Sequence, residues 1–285
     1  MKMQHKAAIN RAFDLVPAGR FLRRFAQKRL GHAVHLSQRM PAYRWHREAA
    51  SKHGAFDLTK ATAYEFGAGK DLGSQITLWC YGVPRQIVVD RERLLDESLV
   101  GEAMRAIAKI DEPSFRRRPR PGMRYADMGI EYHAPADARK VPHPDGSIEL
   151  IVSNNTLEHI PPADLILIMR ECRRLCSPHG VVSMAIDYSD HYSHSDRRVG
   201  RTNFLRYTDS EFERFQSSFL YQSRLRHSDY RALFKRAGFR VRDEQKIVKP
   251  EDIQAVENGP VADRFRDYAP EDLAARHGTF ALTPA

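Results

Sequence analysis

Two acids on either side of a glycine turn are the first residues whose types and spacing suggest chemistry. Ala63-Tyr64-Glu65-Phe66 ends a short apolar run in Gly67-Ala68-Gly69, and a second run, Ile87-Val88-Val89, delivers Asp90. Glycines let a backbone approach a ligand closely, and an acid at the tip of the following strand can accept from both hydroxyls of a ribose. Leu72 stands where a dinucleotide fingerprint needs its third glycine. A pyrophosphate on this turn would also face the Glu65 carboxylate, an unfavourable pairing, so a nicotinamide-dependent oxidoreductase ranks last.

A cationic ligand would be attracted instead. S-adenosylmethionine has an ammonium and a sulfonium at one end and an adenosine at the other. Glu65 is expected near the first and Asp90 on the ribose, with Gly67, Ala68 and Gly69 as the surface of approach.

A second constellation follows the apolar run that ends at Ile186: Asp187, Asp190, His191 and His194. Ligands in parallel α/β sheets bind beyond the carboxyl ends of the strands, which puts this loop beside the reacting end of such a cofactor. His191 is the first choice as general base because a neutral imidazole titrates near working pH, with Asp187 or Asp190 to orient it. His159 is the second candidate. The same four loop residues have the chemistry of divalent-metal ligands, but short loop spacing does not establish that they converge, and no metal is expected. Arg224 and Arg226 are candidates to hold an anionic acceptor or to form structural ion pairs.

These residues need a scaffold of alternating elements. Strands are expected near 62–66, 85–90, 129–134, 148–154, 180–187, 239–248 and 278–283, with helical stretches between them. That pattern predicts an α/β fold, a seven-stranded, mainly parallel Rossmann-like sheet with helices on both faces. The helix expected over 162–176 repeats Leu165, Ile168, Met169, Cys172, Leu175 and Cys176 at intervals of three and four, with Pro162 in its first turn. Another is expected from Ser228 as N-cap to Gly238 as C-cap. The Arg116–Arg120 run reads as a solvated loop.

Four ordered segments resemble the class I S-adenosylmethionine-dependent methyltransferases, over roughly residues 60–283. They are the turn Glu65-Phe66-Gly67-Ala68-Gly69, the acid Asp90, Asp137-Ala138 followed by Val141-Pro142-His143-Pro144-Asp145-Gly146-Ser147, and Ser153-Asn154-Asn155-Thr156-Leu157-Glu158-His159-Ile160. The resemblance implies that Asp137 accepts from the adenine amino group and Ala138 lends a backbone N–H to the ring. Asn154, closing the fourth strand, joins the expected cofactor set. Residues 186–194, with 203–205 and 221–230, resemble a narrower bacterial branch associated with surface-polysaccharide and glycolipid assembly.

The expected reaction is methyl transfer to an oxygen of a small molecule, sugar or glycolipid. A nucleic-acid methyltransferase is the alternative, although Asn154-Asn155-Thr156-Leu157 replaces the usual amino-group signature. A non-catalytic cofactor-binding subunit is the third reading.

Charge divides the chain. Its 285 residues carry a formal net charge of +10, and the excess lies within residues 1–53, where twelve Lys and Arg face only Asp14 and Glu48. Ile9, Phe13 and Val16, then Phe21, Leu22 and Phe25, fall at helical spacings beside Arg23, Arg24, Lys28 and Arg29. Residues 1–58 are therefore expected to form a basic helical lid or docking arm, and residues 59–285 the cofactor-binding methyltransferase domain. Contact of residues 1–53 with an anionic membrane face or polyanion is the less favoured use of that charge. No apolar run is long enough to span a bilayer, and a cytoplasmic protein is expected. Cys80, Cys172 and Cys176 read as small core residues.

Overall fold

The computed structural model of the protein describes residues 36–196, 198–217 and 221–285. Each apolar run expected to be extended forms a strand: β1 (Thr62–Phe66), β2 (Arg85–Val89), β3 (Ile130–His133), β4 (Ile148–Asn154), β5 (Cys176–Asp187), β6 (Phe239–Val248) and β7 (Ala275–Pro284). They make one sheet in the order β3-β2-β1-β4-β5-β7-β6. The first five strands are mutually parallel, and β7 runs antiparallel to both β5 and β6. β1 and β4 lie at the centre, covered on both faces, which is why their sequences lack a polar alternation.

β5 begins earlier than the apolar run suggests, because Cys176 pairs with Ile148 before the register shifts towards Leu150. Pro178 falls within that irregular stretch, where its missing N–H removes no regular ladder bond.

The helices are α1 (Leu36–His53), α2 (Gly73–Tyr81), α3 (Glu97–Ala108), α4 (Pro162–Leu175), α5 (Asp209–Glu213), α6 (His227–Arg236), α7 (Pro250–Asn258) and α8 (Pro270–Leu273). α4 buries the expected stripe of Leu165, Ile168, Met169, Cys172 and Leu175. α6 starts one residue before Ser228: Arg226 is the N-cap, its backbone N–H donates to Asp229, and the Ser228 hydroxyl donates to Asp272 instead of capping. The three cysteines are free and buried in the core.

The Arg116–Arg120 run is not a solvated loop throughout. Arg117 stacks over the Trp79 ring and donates to the Trp79 and Gly82 carbonyls, while Arg118 donates to Ala108 and Ile110, so the run ties the ends of α2 and α3 together.

A smaller apolar cluster sits beyond the carboxyl ends of β5 and β6. Tyr192, Phe204, Leu205, Phe212 and Phe215 pack there with Val256, Phe265 and Leu273. Arg224 and Arg226 belong to this structural layer. Arg224 is 4% exposed and donates to Phe204, Tyr207 and Asp209; Arg226 is fully buried and donates to the carbonyls of Tyr188, Asp272, Leu273 and Ala275. Of the two roles open to these arginines, the structure shows the structural one.

α1 lies against β5, β7 and α2, burying Leu36, Met40, Tyr43, Trp45, His46, Ala49 and Ala50. Three of its basic residues meet acids of the sheet domain: Arg39 with Asp71 at 2.7 Å, Arg44 with Glu112 at 2.7 Å and Lys52 with Asp243 at 2.6 Å. The amphipathic segments expected around Ile9–Val16 and Phe21–Phe25 lie outside the described residues. Among the described residues, no helix is long and apolar enough to cross a membrane.

Candidate functional site

The glycine turn leaves β1 at the middle of the sheet. Gly67 has φ +76, and a Cβ there would stand 2.2 Å from Thr156 Cγ2, so both backbone and space require glycine. Gly69 has φ +75 but no atom within 4 Å of such a Cβ. The turn is thus closed against β4 at one glycine and open at the other. Leu72, in place of a third glycine, adopts φ 54 with its side chain fully buried at the start of α2.

Glu65 is 3% exposed, held by Gln75 Nε2 at 2.6 Å and Asn154 Nδ2 at 3.2 Å. Burial raises its carboxyl to about 8, although the hydrogen bonds from Ser74 and Asn154 pull the other way. Asp90 is 4% exposed, and Tyr132 donates to its Oδ2 at 3.0 Å. Desolvation raises it to about 7 against the bonds from Tyr132 and the Ala68 backbone. Two acids held this reluctantly beside an open glycine suit a ligand that brings positive charge to one and ribose hydroxyls to the other.

Asn154 connects this pair to α1. Its Nδ2 donates to Glu65 and to Ser74 Oγ, and its Oδ1 faces His46 Nε2 at 2.8 Å. The amide oxygen can only accept, so Nε2 carries the proton, and the remaining nitrogen, Nδ1, accepts from Ser183 Oγ at 2.7 Å. Burial keeps the imidazole neutral by lowering it to about 4.

Asp137 is not gathered into this buried group. It is exposed, and Arg139 forks onto its carboxylate while also reaching Asp164, so the Arg139 hydrogen bonds hold Asp137 below the usual carboxylate range. Ala138 packs partly buried against the main core.

The expected catalytic residues separate into two kinds. His191 and His194 share one carboxylate: Asp187 Oδ2 lies 3.6 Å from His191 Nε2 and 3.5 Å from His194 Nε2. The His159 ring comes within 4.8 Å of the His191 ring, centroid to centroid. Asp190 has another task. It is fully buried, accepts from the Tyr192 backbone N–H at 2.9 Å and from Asn203 Nδ2 at 3.1 Å, and so fixes the loop on which His191 sits.

Sequence reasoning missed His46, Gln75, Tyr132 and the part played by Glu158. Gln75 had a positional signal, lying in the first turn after the glycines. His46 had none, since its partners are 108 and 137 residues away.

Residues 112–184 match the model of a family described as a methyltransferase domain, a stretch that runs from before β3 into β5 and includes Asp137, Ala138, Asn154 and His159. The protein is an enzyme, a methyltransferase. Its cofactor is S-adenosylmethionine. The glycine turn and Asp90 lie outside the matched stretch.

No curated protein matches the chain. Solved structures similar to the methyltransferase include the PH0226 protein from Pyrococcus horikoshii, 13% identical, with 89% of this chain and 93% of that one covered at a TM-score of 0.49. An S-adenosylmethionine-dependent methyltransferase from Clostridium acetobutylicum is 12% identical, covering 86% and 91% of the two chains at a TM-score of 0.48. One from Mesorhizobium loti is 13% identical, covering 86% and 96% at 0.47.

Proposed function

We propose that the enzyme methylates an oxygen of a small molecule, sugar or glycolipid, and that it works in the bacterial polysaccharide and glycolipid branch that its later segments resemble. The observation that carries this reading is the Asp187-backed His191 beside His159, at the carboxyl ends of β4 and β5. An oxygen acceptor needs its proton removed, whereas a carboxylate or neutral amine does not.

Glu65 and Asn154 hold the cationic end of the cofactor, Gly67, Ala68 and Gly69 form its approach surface, Asp90 takes the ribose, and Asp137 with Ala138 takes the adenine. Bound there, the cofactor supplies an activated methyl group. The methyl group would leave its bonding electron pair on sulfur as the O–CH3 bond formed, so what the protein must supply is a place for the acceptor's proton. His191 receives the acceptor's proton, with Asp187 holding the ring and balancing its charge. Residues 1–58 act as a lid or docking arm on the domain of residues 59–285, in a cytoplasmic enzyme whose basic segment also suits an anionic membrane face.

The test is methyl transfer from isotopically labelled S-adenosylmethionine to a panel of hydroxylated sugars and glycolipids. O-methylated product that falls at least about 100-fold in His191→Ala is expected for loss of a general base. Products methylated only at nitrogen, or a His191→Ala rate equal to the parent's, would sink the reading.

A further inference from the structure

Glu158 follows β4 in a short 3-10 turn with His159. Its side chain is buried, 2% exposed, and neither carboxyl oxygen has a hydrogen-bond partner among the described residues. Removing a carboxylate from water without a partner is strongly unfavourable unless a proton or a cation answers it. The neighbouring Asp187 carboxylate makes the charge less welcome still.

Two imidazoles converge on the same point. One ligand atom from each of Glu158, His159 and His191 lies within 4.8 Å of the other two. Ligands about 2.1 Å from a shared ion sit about 3 to 4 Å apart, so closing the set takes a small side-chain rotation and no backbone movement. His159 is also turned the right way. Its Nδ1 lies 2.9 Å from the Tyr221 carbonyl, which can only accept, so Nδ1 holds the proton and Nε2 presents its lone pair. A backbone carbonyl behind a histidine is the usual outer support of a metal ligand. His191 is held from behind by its loop, where its backbone N–H donates to Gln222 Oε1 at 3.1 Å and Asp190 caps the turn.

We propose that Glu158, His159 and His191 bind a first-row divalent transition ion, such as zinc, manganese or cobalt, at the acceptor side of the site. Two imidazoles with one carboxylate favour these ions over calcium or magnesium, which prefer an all-oxygen set. This grouping differs from the loop set Asp187, Asp190, His191 and His194, because Asp190 is committed to its cap. Three protein ligands leave positions open for the acceptor oxygen, and coordination lowers the pKa of a bound hydroxyl as it does that of bound water. The substrate class narrows to an acceptor whose hydroxyl can reach the ion. In the metal-loaded enzyme this replaces the base role given to His191 above: His191 is a ligand, and the acceptor's proton passes to His194, which shares the Asp187 carboxylate and is 44% exposed to solvent. The role in catalysis rests on the function proposed above, whereas the ion site itself does not.

The full chain, stripped with a chelator, is titrated calorimetrically with manganese and zinc chloride, and cobalt binding is followed by its visible absorption. One ion per chain is expected. Glu158→Gln and His159→Ala should each weaken binding at least about 100-fold, while the affinity for S-adenosylmethionine measured without metal stays unchanged. His159 is exposed, so its variant should fold even if the buried one does not. Substoichiometric binding by the parent, or parent-like binding by both variants, overturns the proposal. Full-rate O-methylation by a metal-free sample overturns it too and leaves the proposed function standing. An ion bound through these residues in a protein that methylates no hydroxyl supports the site and sinks the function.

Discussion

At the scale of single residues, Glu65 carries the sharpest consequence. Its carboxylate is buried and raised to about 8, so the cofactor-free protein holds it partly protonated at neutral pH. A cationic ligand favours the ionised form, and binding should release protons. S-adenosylmethionine affinity should rise as pH climbs through about 7 to 8, the window set by Asp90 and Glu65. Calorimetry in two buffers of different ionisation enthalpy reads the released proton directly, and equal heats would contradict the assignment. Glu65→Gln should lose affinity by about 10- to 100-fold, the worth of a charge-assisted contact, and should abolish that proton release. The two glycines separate structure from ligand contact. Gly67→Ala should cost about 1–3 kcal/mol in a denaturant titration, because a Cβ meets Thr156 as well as an unfavourable φ. Gly69→Ala meets only the φ penalty, so a loss of cofactor affinity with little further loss of stability would mark it as the surface of approach.

At the scale of elements, the strands and α4 were readable because buried parallel strands are short apolar runs and a half-buried helix repeats at three and four. Glu65 and Asp90 stand out in the sequence for a related reason: Glu65 is the last residue but one of β1 and Asp90 follows the last of β2, where the chain turns at the carboxyl edge of the sheet. The role of α1 was not readable. Composition marks its segment as basic, yet what links it to the site is one buried neutral histidine whose partners lie on β4 and β5. Arg226 was unreadable in the same way, since a fully buried arginine satisfied by four backbone carbonyls leaves no pattern in sequence. The chain His46–Asn154–Glu65 ties α1 into the buried network at the glycine turn, and with Glu65 on the cofactor as proposed it makes α1 part of that site. His46→Ala should cost about 2–4 kcal/mol, because Asn154 Oδ1 and Ser183 Oγ lose their buried partner. It should also weaken cofactor binding, since Asn154 then loses the contact that aims it at Glu65. Disrupting the more exposed Arg39–Asp71 pair by Arg39→Ala serves as the control. It removes charge from the same helix, and a loss of binding as large as that of His46→Ala would place the effect in helix docking and not in the histidine.

At the scale of the whole molecule, buried titratable groups on opposite sides of one network make stability depend on pH in a way the cofactor should reverse. His46 is lowered to about 4, so the fold binds fewer protons than the unfolded chain between pH 4 and the ordinary histidine value of 6.5. Its contribution is present above 6.5 and is lost as pH falls through that window. Glu65 and Asp90 act in the other direction. Their folded values of about 8 and about 7 lie above the unfolded 4.5 and 3.8, so the fold binds more protons than the unfolded chain. Their contribution is complete in acid and declines as pH rises towards 8. The cofactor-free enzyme should therefore be most stable on the acid side of neutrality and should lose ground by pH 8.5. A ligand that pairs with both carboxylates in their ionised form removes the second decline but leaves the first untouched. The rise in melting temperature on adding saturating S-adenosylmethionine should consequently be larger at pH 8.5 than at pH 6, where Glu65 must first give up its proton. Thermal melts at the two pH values, with and without ligand, check this. Glu65→Gln supplies the internal standard: its cofactor-free form should be the more stable of the two proteins at pH 8.5, having no buried carboxylate to ionise, and its ligand-induced shift should vary less with pH. A parent protein whose shift is the same at both pH values would mean that Glu65 does not face the positive end of the ligand.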